Sequence, residues 1–228
     1  MKYKWVFFDL DETLFDFNES SKMALREVFF ELGLSDQEET YNEYYAINNE
    51  VWKMLQEGTI SAIELKSLRW NRFLEKYGLT YKALDLNELY LDSLIEYTTV
   101  YPGSIEVLKI LCNDFRLVAV TNGLERVQKA RLNISKLANF FEHVVISESI
   151  GCAKPQKEYF DFAFNLCGNP KKQEVILIGD GLESDIKGAC NYGLDCIWFN
   201  PLQKINPNSY HPTYEVSDLH HAVEIIIF

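Results

Sequence analysis

This 228-residue sequence predicts an α/β fold, a doubly wound parallel sheet interrupted by a large helical insertion, and three features predict it. Short runs rich in Val, Ile, Phe and Leu alternate with helical patterns along most of the chain. One stretch of more than 80 residues, between the first such run and Tyr101-Pro102-Gly103, carries helical patterns and no convincing strand. Polar side chains able to do chemistry collect just after the strand-like runs, at the edge where open parallel sheets bind ligands.

The first strand is expected over Tyr3–Asp9, where the apolar run Trp5–Phe8 gives way at once to Asp9, Asp11 and Glu12. Helices follow over Glu19–Leu32, Asp36–Glu57, Ser61–Lys76 and Tyr81–Tyr97. Gly33, Gly58 and Gly78 stand at or just past the ends of the first three, where C-caps often sit. A segment this long is not a simple loop in a compact domain. It is expected to be a helical cap domain, residues 17–98, inserted into a core of residues 1–16 and 99–228.

The core then alternates. Helices are expected over Ser104–Asn113, Glu125–Ile134, Gln156–Cys167 and Ser184–Tyr192. Between them fall strands over Phe115–Thr121, Phe141–Ser147, Glu174–Gly179 and Asp195–Phe199. The tail, Tyr214–Phe228, adds a short strand and a last helix. Several strands are apolar on both faces, as strands buried between helix layers are. The alternation implies right-handed βαβ units.

Composition narrows the function. Hydrophobic content of 47% and charged content of 25% are those of an ordinary soluble globular protein. No apolar stretch approaches the ~20 residues of a membrane span, and MKYKWVFFDL has too short an apolar stretch for a signal peptide. A cytoplasmic location is expected, as a monomer or homodimer. Five cysteines without a CxxC pair argue against a disulfide framework or a zinc site. The four histidines match no metal-ligand spacing. A formal net charge of −12 offers no basic face, so neither nucleic acid nor membrane is an expected partner. An anionic ligand would need a strong local positive site, such as a metal ion.

Four clusters follow the predicted strands: Asp9, Asp11 and Thr13; Thr121-Asn122-Gly123; Lys154-Pro155; and Gly179-Asp180-Gly181 with Asp185. Alone, an Asp closing a strand is usually a turn or helix-cap residue, and Thr-Asn-Gly a polar turn. In this order, as DLDET, TNG, the lysine of AKP and GDGLESD, the clusters resemble the haloacid dehalogenase (HAD) superfamily of phosphohydrolases. That resemblance implies a Rossmann-like core with a helical cap inserted after the first strand. It also implies a Mg²⁺-dependent phosphomonoesterase acting through an aspartyl phosphate, a route that splits one slow displacement into two transfers.

By the same resemblance, Asp9 is the nucleophile. Asp11 protonates the leaving oxygen and then activates water, its protonated form favoured by a nearby carboxylate in a dry site. Asp9, the backbone carbonyl of Asp11 and Asp180 hold Mg²⁺. Thr121 and the backbone N–H of Asn122 bind the phosphate, and Lys154 neutralises charge on the nucleophile and the transferring group. Thr13 and Asp185 support this set from behind. Glu12 is expected to be solvated or part of a hinge.

Further similarity, in DLDETLFDF, GDGLESDIKGACNYGLDCIWFN and the cap stretch GTISAIELKSLRWNRF, is to the YjjG/YfnB-type 5′-nucleotidase branch. It implies a small phosphorylated metabolite as partner, a pyrimidine or non-standard nucleoside monophosphate. Asn49, Trp52, Arg69 and Arg72 are the cap candidates for substrate specificity, although an aromatic at helical spacing more often packs. Alternatives stay open: a phosphatase or mutase for a sugar phosphate, and, from another class, a phospho-acceptor signalling domain. Asp11 argues against a dehalogenase, which lacks that second aspartate.

Overall fold

The computed structural model describes residues 2–228. The described residues divide into two compact units, residues 2–17 with 99–228, and residues 18–98.

In the first unit, Trp5–Phe8 forms β1 at the centre of a sheet. The other strands are β2 (Arg116–Thr121), β3 (His143–Ile146), β4 (Val175–Gly179), β5 (Asp195–Phe199) and β6 (Tyr214–Val216). All pair in parallel, in the order β3-β2-β1-β4-β5-β6. Sequence neighbours β1 and β2 pair, but the chain returns to the far side of β1 only with β4. Between β1 and β4 lies the topological switch where such sheets open a crevice.

Period-two alternation buries both faces of β1. Val6 and Phe8 join Leu117, Ala119, Ile176, Ile178 and Ile197 in one core cluster. Trp5 and Phe7 join Val118, Val120, Val175, Leu177 and Cys196 in the other. Helices cover both sides, which is why the strands read as apolar runs without alternation.

The helices of the second unit are α1 (Phe17–Glu31, starting in the first unit), α2 (Glu38–Gln56), α3 (Ala62–Tyr77) and α4 (Ala83–Glu96). They enclose an aromatic core of Phe29, Tyr44, Trp70, Phe73 and Tyr90. The rest of the first unit contains α5 (Ser104–Leu111), α6 (Glu125–Ile134), α7 (Ser147–Ile150), α8 (Lys157–Leu166), α9 (Lys187–Tyr192) and α10 (Leu219–Ile227). Among the described residues no helix is long and apolar enough to cross a membrane.

One expected helix differs. Ser184–Tyr192 is not a single α-helix: a π-helical turn over Leu182–Ile186 precedes α9. The wide turn follows from Asp185, which is buried and takes the Gly181 N–H at 3.0 Å, drawing the chain inward before α9 begins.

Candidate active site

Asp9 leaves β1 at its carboxyl end, 7% exposed, with its N–H bonded to the Ile178 carbonyl of β4. Next to it, Leu10 accepts backbone bonds from Thr13, Leu14 and Phe15. This tight loop returns Thr13 to donate its hydroxyl to Asp9 Oδ2 at 3.2 Å.

Lys154 arrives from beyond β3 and is fully buried. Its ammonium has three protons and three acceptors: Asp9 Oδ1 at 2.6 Å, Asp185 Oδ1 at 2.6 Å and the Val120 carbonyl at 2.8 Å. The Asn122 side chain fixes the Lys154 backbone from both ends, accepting from its N–H and donating to its carbonyl, each at 2.9 Å. The Lys154–Pro155 peptide is cis.

Asp180 and Asp185 come from the loop and π-turn after β4. A side chain at Gly179 would place its Cβ 2.5 Å from Asp185 Cγ, and one at Gly181 would stand 2.2 Å from Ser184 Oγ. At Gly179 the clash is with Asp185 itself, so glycine there leaves the room in which Asp185 folds back onto Lys154. Trp198 of β5 donates to the Asp180 carbonyl at 2.9 Å and holds the loop.

Asp9, Asp180 and Asp185 each bring a carboxylate oxygen within 4.8 Å of the others. Burial pushes the Asp9 carboxyl up to about 7; Lys154 opposes that rise, and the Asp185 charge adds to it. Burial likewise raises Asp180 well above the usual carboxylate range, with the charges of Asp9 and Asp185 adding to the effect. Burial would lower the Lys154 ammonium, but its two carboxylate partners outweigh it and raise it. Two of the three carboxylates, Asp9 and Asp185, thus share one ammonium, with Asp180 close beside them. The uncompensated charge and all-oxygen donor set suit a hard divalent cation such as Mg²⁺. Asp185 has its Oδ1 on Lys154 and its Oδ2 on the Gly181 N–H, and Asp9 is engaged likewise, with Oδ1 on Lys154 and Oδ2 taking the Thr13 hydroxyl.

Asp11 and Thr121 meet through Gln128, a residue outside the four sequence clusters. Gln128 of α6 donates from Nε2 to Asp11 Oδ2 at 2.8 Å and to Thr121 Oγ1 at 2.8 Å. Arg131, one helical turn on and buried, pairs with Asp11 Oδ1 and lies over the Phe15 ring at 4.3 Å. The expected surroundings of Asp11, a neighbouring carboxylate in a dry site, are therefore incomplete, because a buried guanidinium and an amide face it as well. Glu12 is half-buried at φ +60° and accepts from the Tyr101 hydroxyl at 3.1 Å.

A family profile, hydrolase: haloacid dehalogenase-like hydrolase, matches residues 3–193. The chain belongs to the haloacid dehalogenase-like hydrolases. Over 226 residues, 99% of both chains, it is 34% identical to the pyrimidine 5′-nucleotidase YjjG of Escherichia coli. It is 34% identical to the pyrimidine 5′-nucleotidase PynA of Streptococcus pneumoniae, over 95% of this chain and 92% of the relative. Among solved structures it matches the HAD-hydrolase YfnB of Bacillus subtilis, crystallised with magnesium, with a TM-score of 0.92 and 32% identity over all of both chains.

The four cap candidates of this haloacid dehalogenase-like hydrolase do not gather in the same way. Arg69 is 2% exposed and donates to Asn48 at 3.2 Å and Asn87 at 2.6 Å within the helical unit, over the Tyr90 ring. Arg72 forms a surface ion pair with Glu50 at 3.1 Å. Asn49 is exposed and Trp52 half-buried, three residues apart on α2.

Proposed function

We propose that this chain is a Mg²⁺-dependent phosphomonoesterase, a 5′-nucleotidase for pyrimidine or related nucleoside monophosphates. The observation that carries the reading is the arrangement at Asp9: Lys154 holds Oδ1, while two further carboxylates crowd a site with charge to spare. Similarity along nearly the whole chain to two proteins named pyrimidine 5′-nucleotidases supports the substrate class.

Lys154 on Oδ1 leaves Asp9 Oδ2, steadied by Thr13, as the attacking oxygen. Asp9 forms a new O–P bond as the bond to the nucleoside oxygen breaks, and Asp11 gives that oxygen a proton. Both Asp11 oxygens are bonded in this structure, so the carboxyl must turn out of its contacts with Gln128 and Arg131 to reach the leaving group. Water then attacks phosphorus, returns its proton to Asp11, and releases inorganic phosphate with Asp9 regenerated. Asp9, Asp180 and the Asp11 carbonyl would hold Mg²⁺, which when bound offsets the carboxylate charge and polarises the phosphoryl group. Thr121 and the Asn122 N–H would take phosphoryl oxygens. We assign the choice of leaving group to residues 18–98, with Trp52 the first candidate to stack on a base.

A phosphate-release screen of nucleoside monophosphates and sugar phosphates, with Mg²⁺ and with EDTA, tests the reading. Hydrolysis of uridine or thymidine 5′-monophosphate should need Mg²⁺ and disappear in Asp9→Asn. A clear preference for a sugar phosphate would end the nucleotidase reading, and metal-independent turnover would end the mechanism.

A further inference from the structure

We propose that Gln128 is a positioning residue that aims the Thr121 hydroxyl proton at the phosphate subsite and ties that hydroxyl to Asp11. The proposal rests on the phosphatase reading of the site and adds to it a residue on α6.

Every hydrogen-bonding group of Gln128 is committed. A guanidinium can only donate, so Arg131 Nη1 takes the amide oxygen of Gln128, at 3.3 Å. That fixes which way round the amide stands. Both protons of Nε2 then face acceptors, Asp11 Oδ2 and Thr121 Oγ1, each at 2.8 Å. Gln128 is 1% exposed, so no solvent competes for these bonds.

The consequence falls on Thr121. Its oxygen receives Gln128 Nε2 and also the Gly123 N–H at 3.1 Å. A hydroxyl has two lone pairs and one proton, so with both lone pairs engaged the proton must be given away. An acceptor such as a phosphoryl oxygen then meets a donor that needs no reorientation. Gly123 belongs to the same device, since a Cβ there would lie 2.5 Å from Gln128 Nε2. Without the amide, the Thr121 hydroxyl is released to rotate and to donate toward Asp11 or its own loop.

Binding of inorganic phosphate in saturating Mg²⁺, followed by calorimetry, reads this without turnover. Gln128→Leu and Thr121→Val should each weaken phosphate by roughly 10–100-fold, the range for a residue supporting a direct ligand. The double variant should bind no more weakly than Thr121→Val, because the amide acts through the hydroxyl. Gln128→Glu, whose carboxylate accepts the Thr121 proton instead of donating, should lose at least as much as Gln128→Leu. Thermal melts establish that each variant is folded, and Gln128→Met replaces Gln128→Leu if the latter is not. Additive losses, or unchanged affinity in folded Gln128 variants, would overturn the proposal, as would a wild-type protein that binds no phosphate. Wild type that binds phosphate but hydrolyses no nucleotide would reject the nucleotidase reading and leave the double-variant cycle to decide this one.

Discussion

At the residue scale, the site is a problem of charge and close approach. Asp9 and Asp185 each sit 2.6 Å from one ammonium, so one carboxylate is compensated and the other is in excess. With the Asp9 carboxyl raised to about 7, part of the metal-free population carries a proton there near neutrality. A cation that needs the carboxylate must displace that proton. Mg²⁺ binding measured by calorimetry at pH 6.5 in buffers of different ionisation enthalpy should therefore show proton release, and Asp9→Asn should reduce it, leaving the share of Asp180, whose carboxyl is raised as well. Equal apparent enthalpies in all buffers would contradict the assignment. The glycines make a steric argument of the same kind. Gly179→Ala places a methyl 2.5 Å from Asp185 Cγ and must push Asp185 off Lys154. Overpacking of this type costs about 1–3 kcal/mol, and urea denaturation should register that loss together with a fall in activity.

At the scale of elements, local sequence chemistry settles most boundaries. α3 starts at a reciprocal cap: Ser61 Oγ accepts the Glu64 N–H at 3.2 Å, and Glu64 Oε2 accepts the Ser61 N–H at 2.8 Å. It ends at Gly78, whose φ of +62° suits a residue without a Cβ. Ser61→Ala should cost about 1 kcal/mol, seen as a lowered thermal midpoint, and Ser61→Asp should largely restore it. Strand positions were legible because strands buried on both faces are apolar nearly throughout, as WVFF and VILI are. The turn at Leu182–Ile186 was not legible, because Asp185, which takes the Gly181 N–H, is also held by Lys154, 31 positions away in sequence. Gln128 and Arg131 went unread for a related reason. They lie three apart on α6, both buried, where helical periodicity calls for apolar side chains; that conflict was the available signal.

At the scale of the whole molecule, stability and ion binding are linked through pH. Asp9 is raised in the folded state from an unfolded value near ~3.9, so between about 4 and 7 the native protein binds more protons than the unfolded chain. Its contribution to stability therefore falls as pH rises through that window. In EDTA, wild type should lose stability from pH 5 to 8 relative to Asp9→Asn, whose neutral amide does not titrate. Mg²⁺ should restore wild type most at the alkaline end, where the carboxylate is already ionised. Denaturant midpoints of the two proteins across that range, with and without metal, test the linkage, and parallel pH profiles in EDTA would refute it.

Taken by itself, the sequence determined the α/β class, the strand order in the chain, and the residues that gather beyond the strand ends: Asp9, Asp11, Thr121, Lys154, Asp180 and Asp185. It could do so because burial on both faces leaves a compositional trace, and because residues just after parallel strands share one edge of the sheet whatever lies between them. Only the tertiary structure decided how each group is engaged: Lys154 bridging two carboxylates, Asn122 fastening the lysine backbone, Gln128 joining Thr121 to Asp11, and Arg69 buried among amides of the helical unit. Hydrogen-bond partners in the site are set by distances of about 3 Å between residues as far apart in sequence as Asp9 and Lys154, 145 positions. No local pattern encodes them, because each partner's place follows from the packing of the whole sheet.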